Sequence, residues 1–479
     1  MIYEYFNTMI NYELFTLLPL IIIGGSIFLV TCTIILNCTT VINYIITIVG
    51  VFCALITTII NKHNIININN LIVINSHTKL FNILILIISI INIMQINNWM
   101  KLSNIKYDEV YLFILITIIS SYLLINTNHL AVILLCMELT SISLIGVLNY
   151  KTSYYIVSIS IKYMIISVVT LLLIMLGTLL IYNSSHSLLL ITRHIISNEQ
   201  IYTSGLIILL IGICFKLSLV PCHLWISSIY QHVPIPILVI LNITVKLATF
   251  VILFKLILYT LLSNNDFVHI VMAISVLSIT IGNFMTLSQT NLRKIIAYSS
   301  ISHIGYLSIG LVIAYYNNNF IPIVFSNIVN YIITNLNIIT IIHIITNYRD
   351  KKHNMLSLSS YYGIFYKYPL LTSLLIVNIL SLSGIPITLG FINKFYMFLY
   401  ISNYHIWWLM ITMVVTTIIS FVYYLRIIGS TYKQINYNNV ISYDITKIIC
   451  LIYTIILSLL LLILGVCPNL LFNLFKTYM

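Results

Sequence analysis

The chain has 479 residues, of which 61% are hydrophobic and only 6% charged, and its formal net charge is +12. A soluble domain is typically about 45–50% apolar and about 25% charged. This composition excludes an ordinary soluble enzyme and a disordered chain. Because the basic residues are spread thinly between apolar runs, it also argues against nucleic acid as a partner. The sequence indicates one large membrane-embedded protein.

The N-terminal sequence fits neither a secretory signal nor an Arg-rich transit peptide, since it has no early basic residue and carries Glu4 and Glu13. We expect so apolar a chain to be made at the membrane that it occupies, in an organelle or a bacterium. The frequent Ile, Asn and Tyr residues favour an AT-rich, mitochondrial genome. The eight cysteines include no C-x-x-C pair, so neither a disulfide framework nor an iron–sulfur site is indicated.

Fourteen apolar runs are long enough to cross a membrane, since a helix needs about 20 apolar residues to span the hydrocarbon layer. In chain order the predicted spans are residues 15–36, 40–60, 80–97, 110–126, 129–149, 155–182, 204–230, 234–262, 267–287, 294–316, 320–347, 369–401, 404–430 and 448–470. The segments between them are short. We predict an all-α polytopic membrane protein whose function lies inside the bilayer.

Basic residues are unequally distributed between the loops on the two predicted sides. The side reached after odd-numbered spans has thirteen: Lys101, Lys106, Lys151, Lys162, Arg293, Lys294, Arg349, Lys351, Lys352, Lys367, Arg426, Lys433 and Lys447. The other side, which also holds both termini, has five: Lys62, Lys79, Arg193, Lys255 and Lys476. Because Lys and Arg are enriched in matrix or cytoplasmic loops, we expect both termini to face outward.

Four charged residues lie well inside predicted spans: Glu138, Lys216, Lys246 and Lys394. Each costs about 2.5–3.5 kcal/mol at a helix centre. A low dielectric penalises charged forms, so a neighbouring charge can switch whether such a group holds a proton. We interpret the four residues as a candidate proton relay, with ion pairing for packing alone as the alternative. Lys162 and Lys255 lie nearer helix ends, where a lysine can snorkel to the interface.

Two polar stripes strengthen this interpretation. In span ten Ser299, Ser302, His303 and Tyr306 share one helix face. We favour a hydrated pathway for His303. Span eleven carries a second stripe, Asn327, Asn330, Thr334 and Asn337. Polar stripes in lipid point inward, either to join helices or to hold water, and both functions stay open for the asparagines.

Two spans are predicted to be broken. In span seven Pro221 follows Lys216 by five residues, and in span twelve Gly384-Ile-Pro386 precedes Lys394. Broken helices at membrane depth mark ion or substrate sites. The breaks lie five spans apart, which predicts two inverted five-helix repeats. The expected divisions are 1–109 (spans one to three), 110–262 (first repeat), 263–430 (second repeat) and 431–479 (span fourteen).

Residues from about 128 to 426 resemble the antiporter-like membrane subunits of NADH:ubiquinone oxidoreductase (respiratory complex I), and among them the subunit 2 family. The stretches that carry the likeness are Glu138-Leu-Thr-Ser, Ile161-Lys162-Tyr163, Phe215-Lys216-Leu-Ser-Leu-Val-Pro221-Cys-His223-Leu-Trp225, Pro234-Ile-Pro236, Lys246-Leu-Ala, Asn291-Leu-Arg293-Lys294 through Ser302-His303-Ile-Gly305-Tyr306, Gly384-Ile-Pro386, Gly390-Phe-Ile-Asn-Lys394 and Tyr423-Tyr-Leu-Arg426.

The resemblance implies an antiporter-like fold in which Glu138 and Lys216 form a coupled pair. It further implies that Lys246 is the central relay, that Lys394 serves the exit side, and that Lys162, His223 and His303 are accessory. Lysine at position 394 disfavours the subunit 4 family, where glutamate is typical, and we expect no C-terminal lateral helix of the subunit 5 kind. One departure is that Ser228 and Gln231 replace two acidic residues of the family pattern.

The implied function is proton translocation in the mitochondrial inner membrane, coupled to quinone reduction elsewhere in the complex. No cofactor is expected in this chain; NADH, FMN, iron–sulfur clusters and ubiquinone would belong to other subunits. Expected partners are the antiporter-like subunit 4, small subunits of the 4L and 6 type, and lipids such as cardiolipin. Two alternatives stay open, namely a free-standing cation/proton antiporter of the same fold and a structural scaffold with vestigial charges.

Overall fold

The computed structural model describes residues 2–61, 65–68, 70–103, 107–151, 153–190, 198–259, 265–348, 357–433 and 445–477. Within these residues twelve helices are long and apolar enough to cross a membrane, and the shorter apolar helices Pro369–Ser383 and Cys450–Val466 correspond to the other two predicted spans. A helix pairs its own backbone groups, which is why an apolar chain in lipid folds this way. The predicted polytopic helical fold is confirmed.

Some predictions fall outside the described residues. They are the loop charges Lys62, Lys106, Arg193, Arg349, Lys351 and Lys352, and the boundary between the repeats at 262/263. The limits of the inverted repeats stay predictions.

In chain order the elements are α1 (Ile2–Ile35), α2 (Thr40–Ile60), β1 (Ile65–Ile68), β2 (Ile72–Asn75), α3 (Ser76–Ser103), α4 (Glu109–Asn126), α5 (Leu130–Leu148), α6 (Tyr154–Ser185), α7 (Glu199–Leu217), α8 (Leu224–His232), α9 (Ile235–Val239), a π-helical turn (Ile240–Thr244), α10 (Val245–Tyr259), α11 (Asn265–Ser288), α12 (Leu292–Tyr316), a 3₁₀ turn (Asn318–Phe320), α13 (Ile321–Tyr348), a 3₁₀ turn (Leu358–Tyr361), α14 (Ile364–Lys367), α15 (Pro369–Ser383), α16 (Leu389–Asn403), α17 (Trp407–Tyr432), α18 (Ile445–Val466) and α19 (Asn469–Thr477).

The chain divides into two compact units. The first contains Met1–Lys216 and Ile240–Leu262. In it α4 packs against α1, α3, α5 and α10, and α3 also packs against the π-helical turn. Helices α6 and α7 approach closely because glycines face each other. A Cβ on Gly177 would lie 2.7 Å from the Leu209 nitrogen, so only a small residue allows this contact.

A short hairpin, which the sequence analysis did not predict, precedes α3. Strands β1 and β2 pair antiparallel, with Ile66 opposite Ile74. The Asn128 N–H donates to the Leu71 carbonyl (3.1 Å), and the Leu190 N–H donates to the Asn128 carbonyl (2.9 Å). The α4–α5 connection therefore lies between two other extended segments. We refer to residues 71–75, 127–130 and 188–190 as the backbone cover.

The second unit contains Leu217–Val239 and Ser263–Tyr478. Helix α13 packs against α9, α15, α16 and α18, and α12 packs against α8, α11 and α13. Almost every residue of α12 and α13 is buried. The polar stripes predicted for spans ten and eleven lie on these two helices.

Both predicted helix breaks are confirmed. Helix α7 ends at Leu217, and α8 begins only at Leu224 after a turn that contains Pro221. Helix α15 ends at Ser383, and α16 begins at Leu389. Gly384 has a φ of 85°, a left-handed conformation that favours glycine. Proline in each connection cannot donate a helical hydrogen bond, so the helices do not run on.

Candidate functional site

Lys216 lies in the last turn of α7 and is 7% exposed. Its Nζ atom lies 5.7 Å from the centroid of the Tyr163 ring on α6. The carboxylate of Glu138 on α5 is close enough to interact electrostatically with both Lys216 and Tyr163. Among the described residues Nζ has no hydrogen-bond partner. A buried amine held only by a nearby charge and a ring responds directly to changes in that charge.

Glu138 itself is half-buried in the middle of α5. The hydroxyl of Ser141, one turn further on, lies 3.3 Å from Glu138 Oε2 and donates to it. Its neighbours Leu135 and Ile142 are 61% and 55% exposed. The carboxylate therefore lies between the interior, where Lys216 is, and an apolar outer face.

Lys246 is 2% exposed on α10, directly after the π-helical turn Ile240–Thr244. π-Helical turns are rare and often occur at functional sites. Lys216, Glu138 and Lys246 all belong to the first unit. Three of the four predicted relay residues are thus in one compact body.

Lys394, in the second unit, is held differently. It lies on α16, is 8% exposed, and donates to the carbonyls of Leu382 (3.0 Å) and Ser383 (2.9 Å). These carbonyls are at the end of α15, where a helix leaves acceptors without partners and its dipole favours a positive charge. The ammonium therefore caps the broken helix of its own span.

An aromatic and polar network surrounds Lys394. Its Nζ lies 5.2 Å from the centroid of the Tyr306 ring. The Tyr306 hydroxyl is 2.9 Å from that of Thr416, and His303 Nε2 is 2.9 Å from the Tyr424 hydroxyl. Each of these groups can both donate and accept a hydrogen bond, as proton transfer along such a network requires.

A cavity of about 20 Å³ lies beside this network, with Ser299, Asn335 and Tyr424 as its polar lining and Leu382 at its wall. A space of this size can hold a water molecule where polar partners are present. The Leu382 carbonyl is one of the two that bind Lys394. The second unit thus has a partly polar cavity next to the network around Lys394.

The asparagine stripe of α13 joins helices. The Ser381 hydroxyl donates to Asn330 Oδ1 at 2.9 Å, and Asn337 Nδ2 donates to Asn378 Oδ1 at 3.1 Å. Both partners are on α15. These contacts favour the helix-joining function for Asn330 and Asn337.

The accessory residues differ in exposure. Lys162 is exposed on the outer face of α6, His223 is 7% exposed at the start of α8, and His303 is half-buried.

The prediction that Lys255 snorkels to the membrane interface is wrong. Lys255 is 4% exposed and donates to the Thr127 carbonyl at 2.8 Å. The end of α10 is covered by protein backbone, so the ammonium stays inside the chain.

Two arginines of the motifs cap helix ends. Arg293 Nη1 donates to the carbonyls of Gln231 (3.1 Å) and Val233 (3.2 Å) at the end of α8. Arg426 donates to the carbonyls of Thr286, Leu287 and Gln289 at the end of α11. Arg293 thus binds the end of α8 through backbone carbonyls.

Sequence reasoning assigned no role to Tyr163 or Tyr424. Tyr163 directly follows Lys162 in one motif, and Tyr424 precedes Arg426 by two residues in another. Both are buried. A tyrosine inside a motif that also carries a charged residue was the available signal.

Comparison with protein families identifies a match to most of this chain. The family described as NADH:quinone oxidoreductase/Mrp antiporter, transmembrane, matches residues 127–420. The matched range contains Glu138, Lys216, Lys246 and Lys394 as well as both helix breaks.

Three solved structures with the same fold come from different kinds of complex. A chain of respiratory complex I from Thermus thermophilus is 21% identical, with a TM-score of 0.80 over 95% of this chain and 98% of that chain. A chain of the archaeal membrane-bound sulfane sulfur reductase is 18% identical, with a TM-score of 0.83 over 97% and 96%. A chain of the Mrp complex from Dietzia sp. DQ12-45-1b is 13% identical, with a TM-score of 0.84 over 97% of both. At these identities the likeness establishes the fold.

Proposed function

Because the chain belongs to the NADH:quinone oxidoreductase/Mrp antiporter transmembrane family, we propose that it is a proton-translocating subunit of the membrane arm of respiratory complex I, of the subunit 2 type. The observation that carries the proposal is the environment of Lys216. Its buried amine makes no hydrogen bond among the described residues and is within electrostatic range of Glu138. Lysine at position 394 supports the subunit 2 type.

In this mechanism the residues hold and move a proton. A change of charge near Glu138 alters the proton affinity of Lys216, and the proton passes to Lys246 and then towards Lys394. His303 and Tyr424 would pass protons near Lys394, since their ring nitrogen and hydroxyl are in hydrogen-bond contact. Lys162 and His223 are assigned accessory roles.

The energy required is modest. Moving one proton against 100 mV takes about 2.3 kcal/mol. A tenfold change in proton affinity corresponds to about 1.4 kcal/mol. A change of about 100-fold in the proton affinity of Lys216 is therefore sufficient to move one proton against this potential. A single buried charge pair in a low dielectric can supply an effect of this size.

We also propose the setting of the subunit. It is the mitochondrial inner membrane, with both termini on the intermembrane-space side and the gene in the organelle. NADH, FMN, iron–sulfur clusters and ubiquinone act in other subunits. Neighbours of the subunit 4 and 4L/6 types, and lipids such as cardiolipin, would cover apolar faces such as that of α6, where Met164 and Ile165 are 53% and 60% exposed.

The test is proton pumping by the whole complex carrying Lys216→Ala, reconstituted in vesicles. We expect fewer protons translocated per electron, because the switchable amine is gone. Lys101→Ala is the matched control, since Lys101 is exposed at the end of α3. An unchanged proton-to-electron ratio in Lys216→Ala would contradict the proposal.

A cation/proton antiporter is the second candidate function, favoured by the high TM-score with a chain of an Mrp complex. Blue-native electrophoresis of native membranes distinguishes the two. A band at the mass of a complex that also oxidises NADH supports the complex I subunit. A band without that activity supports the antiporter.

A further inference from the structure

Lys255 is a buried amine that the proposed relay does not use. It lies four residues before the end of α10 and is 4% exposed. Its one hydrogen bond among the described residues is to the Thr127 carbonyl, at 2.8 Å. Lysine is almost never fully buried without a partner charge.

Helix α4, which packs against α10, brings no carboxylate near this amine. The acidic residues at its start, the N-cap residue Asp108 and Glu109, are at the opposite end of the helix, about 27 Å away along the helix axis. The other titratable group close by in sequence is His129, in the same connection as Thr127. Lys255 instead faces backbone carbonyl oxygen at the end of α4, where the helix dipole is negative.

Lys255 lies next to the backbone cover, on the side of the protein that the loop charges predict to face outward. Thr127 belongs to the backbone cover, whose three segments hold one another by hydrogen bonds such as Leu130 N–H to the Leu188 carbonyl, 2.8 Å. The loop charges predict that this side faces outward. Lys255 thus lies directly beneath the cover, at the end of α10 that the loop charges predict to face outward.

Lys255 can lose a proton and still make its hydrogen bond to the Thr127 carbonyl. The ammonium has three N–H donors, and the neutral amine still has two. Either form can donate to the Thr127 carbonyl. A group that merely tied α10 to the α4–α5 connection would not need this property.

Buried hydroxyl groups lie on the two helices that flank the interval between Lys246 and Lys255. The two residues are nine positions apart on α10, about 14 Å along the axis, too far for direct transfer. Thr249 lies between them, and α4 carries the buried hydroxyls of Thr117, Ser120 and Ser121. Helix α4 packs against α10, and hydroxyls both donate and accept.

We propose that Lys255 is a proton-accepting residue at the outward end of the first unit. A proton released by the Lys246 ammonium binds the neutral Lys255 amine and passes from there to water beyond the backbone cover. This inference rests on the proposed function and adds to it an exit within the first unit. The competing role is that of a structural tie.

The experiment uses the whole complex in vesicles with Lys255→Arg and Lys255→Gln. Both side chains can still donate to the Thr127 carbonyl, but neither releases a proton, because arginine stays charged and the glutamine amide is neutral. We expect fewer protons translocated per electron, because losing a proton-transfer group typically slows transfer by about 10²-fold. The measurements are protons translocated per electron and assembly on blue-native gels.

Lys79→Arg is the matched control, because Lys79 also donates to a carbonyl at a helix end, that of Asn61, but is only half-buried. It should pump normally. Normal pumping in either assembled Lys255 variant would overturn the inference, as would failure of both variants to assemble, since Lys255 would then be a structural tie. Lys246→Met separates the two proposals: if it also pumps normally, the proposed function itself fails.

Discussion

The two broken spans hold their lysines in opposite ways. In the first unit Lys216 lies before the break, in the last turn of α7, with a charge and a ring near it but no hydrogen bond among the described residues. In the second unit Lys394 lies after the break and donates to two carbonyls before it. The first lysine is coupled to the charge of Glu138. The second is coupled to the backbone of its own span.

This difference predicts which change in the structure alters the protonation of each lysine. Removing or adding a charge near α5 acts on Lys216 without changing any hydrogen bond that it makes. A change in the connection between α15 and α16 acts on Lys394, because the carbonyls that hold its ammonium move. The first lysine is suited to receive an electrostatic signal, and the second to link protonation to helix geometry.

The largest expected effect is on stability when Lys394 is replaced by methionine. Two buried carbonyls then lose their donor, at about 1–3 kcal/mol each. Lys216→Met removes no hydrogen bond of this kind, so its stability should change little. Chaotrope denaturation of the purified complex compares the two variants. Equal stabilities would remove the distinction between the two regions.

A smaller loss is expected from Gly384→Ala. The left-handed φ of 85° costs a residue with a Cβ about 1–2 kcal/mol, and that Cβ would lie 3.0 Å from Lys394 Cδ. The alanine should therefore lower both stability and pumping. Gly429→Ala is the control, since a Cβ at that position would meet no more distant part of the described chain within 4 Å. If the Gly384 variant resembles this control, the connection does not position Lys394.

The smallest effect is expected from Tyr424→Phe, which removes the contact with His303 at 2.9 Å. Loss of one hydrogen bond should cost about 0.5–1.5 kcal/mol and slow pumping without preventing assembly. Tyr366→Phe, at a side chain that is 60% exposed, controls for loss of a tyrosine hydroxyl. Pumping rates and melting temperatures of the two variants give the comparison, and equal rates would exclude Tyr424 from the path.

The spans and their breaks could be predicted because both depend on local sequence. A long apolar run forms a helix in lipid, and Pro221 and Gly384-Ile-Pro386 interrupt it wherever it is placed. The hairpin was missed for the opposite reason. Its strands flank Asn69-Asn70, a usable turn signal, but the start of β2 pairs with residues 127–128, far along the chain.

The site was predictable in its residue types and not in its contacts. Burial of Lys216, Lys246 and Lys394 follows from the apolar runs around them. The hydrogen bonds of Lys394 depend on the path of a five-residue connection, which has no periodic pattern. Lys255 shows the same limit, because its distance from the helix end predicts snorkelling, whereas the backbone cover that encloses it comes from other parts of the chain.

The most direct test of the central claim is a high-resolution density map of the assembled complex that shows ordered water between Lys216 and Lys246. A relay through these two amines requires carriers at hydrogen-bond spacing, so the account predicts a continuous file of water and polar side chains joining them. Apolar side chains packed without a gap across that interval would contradict it.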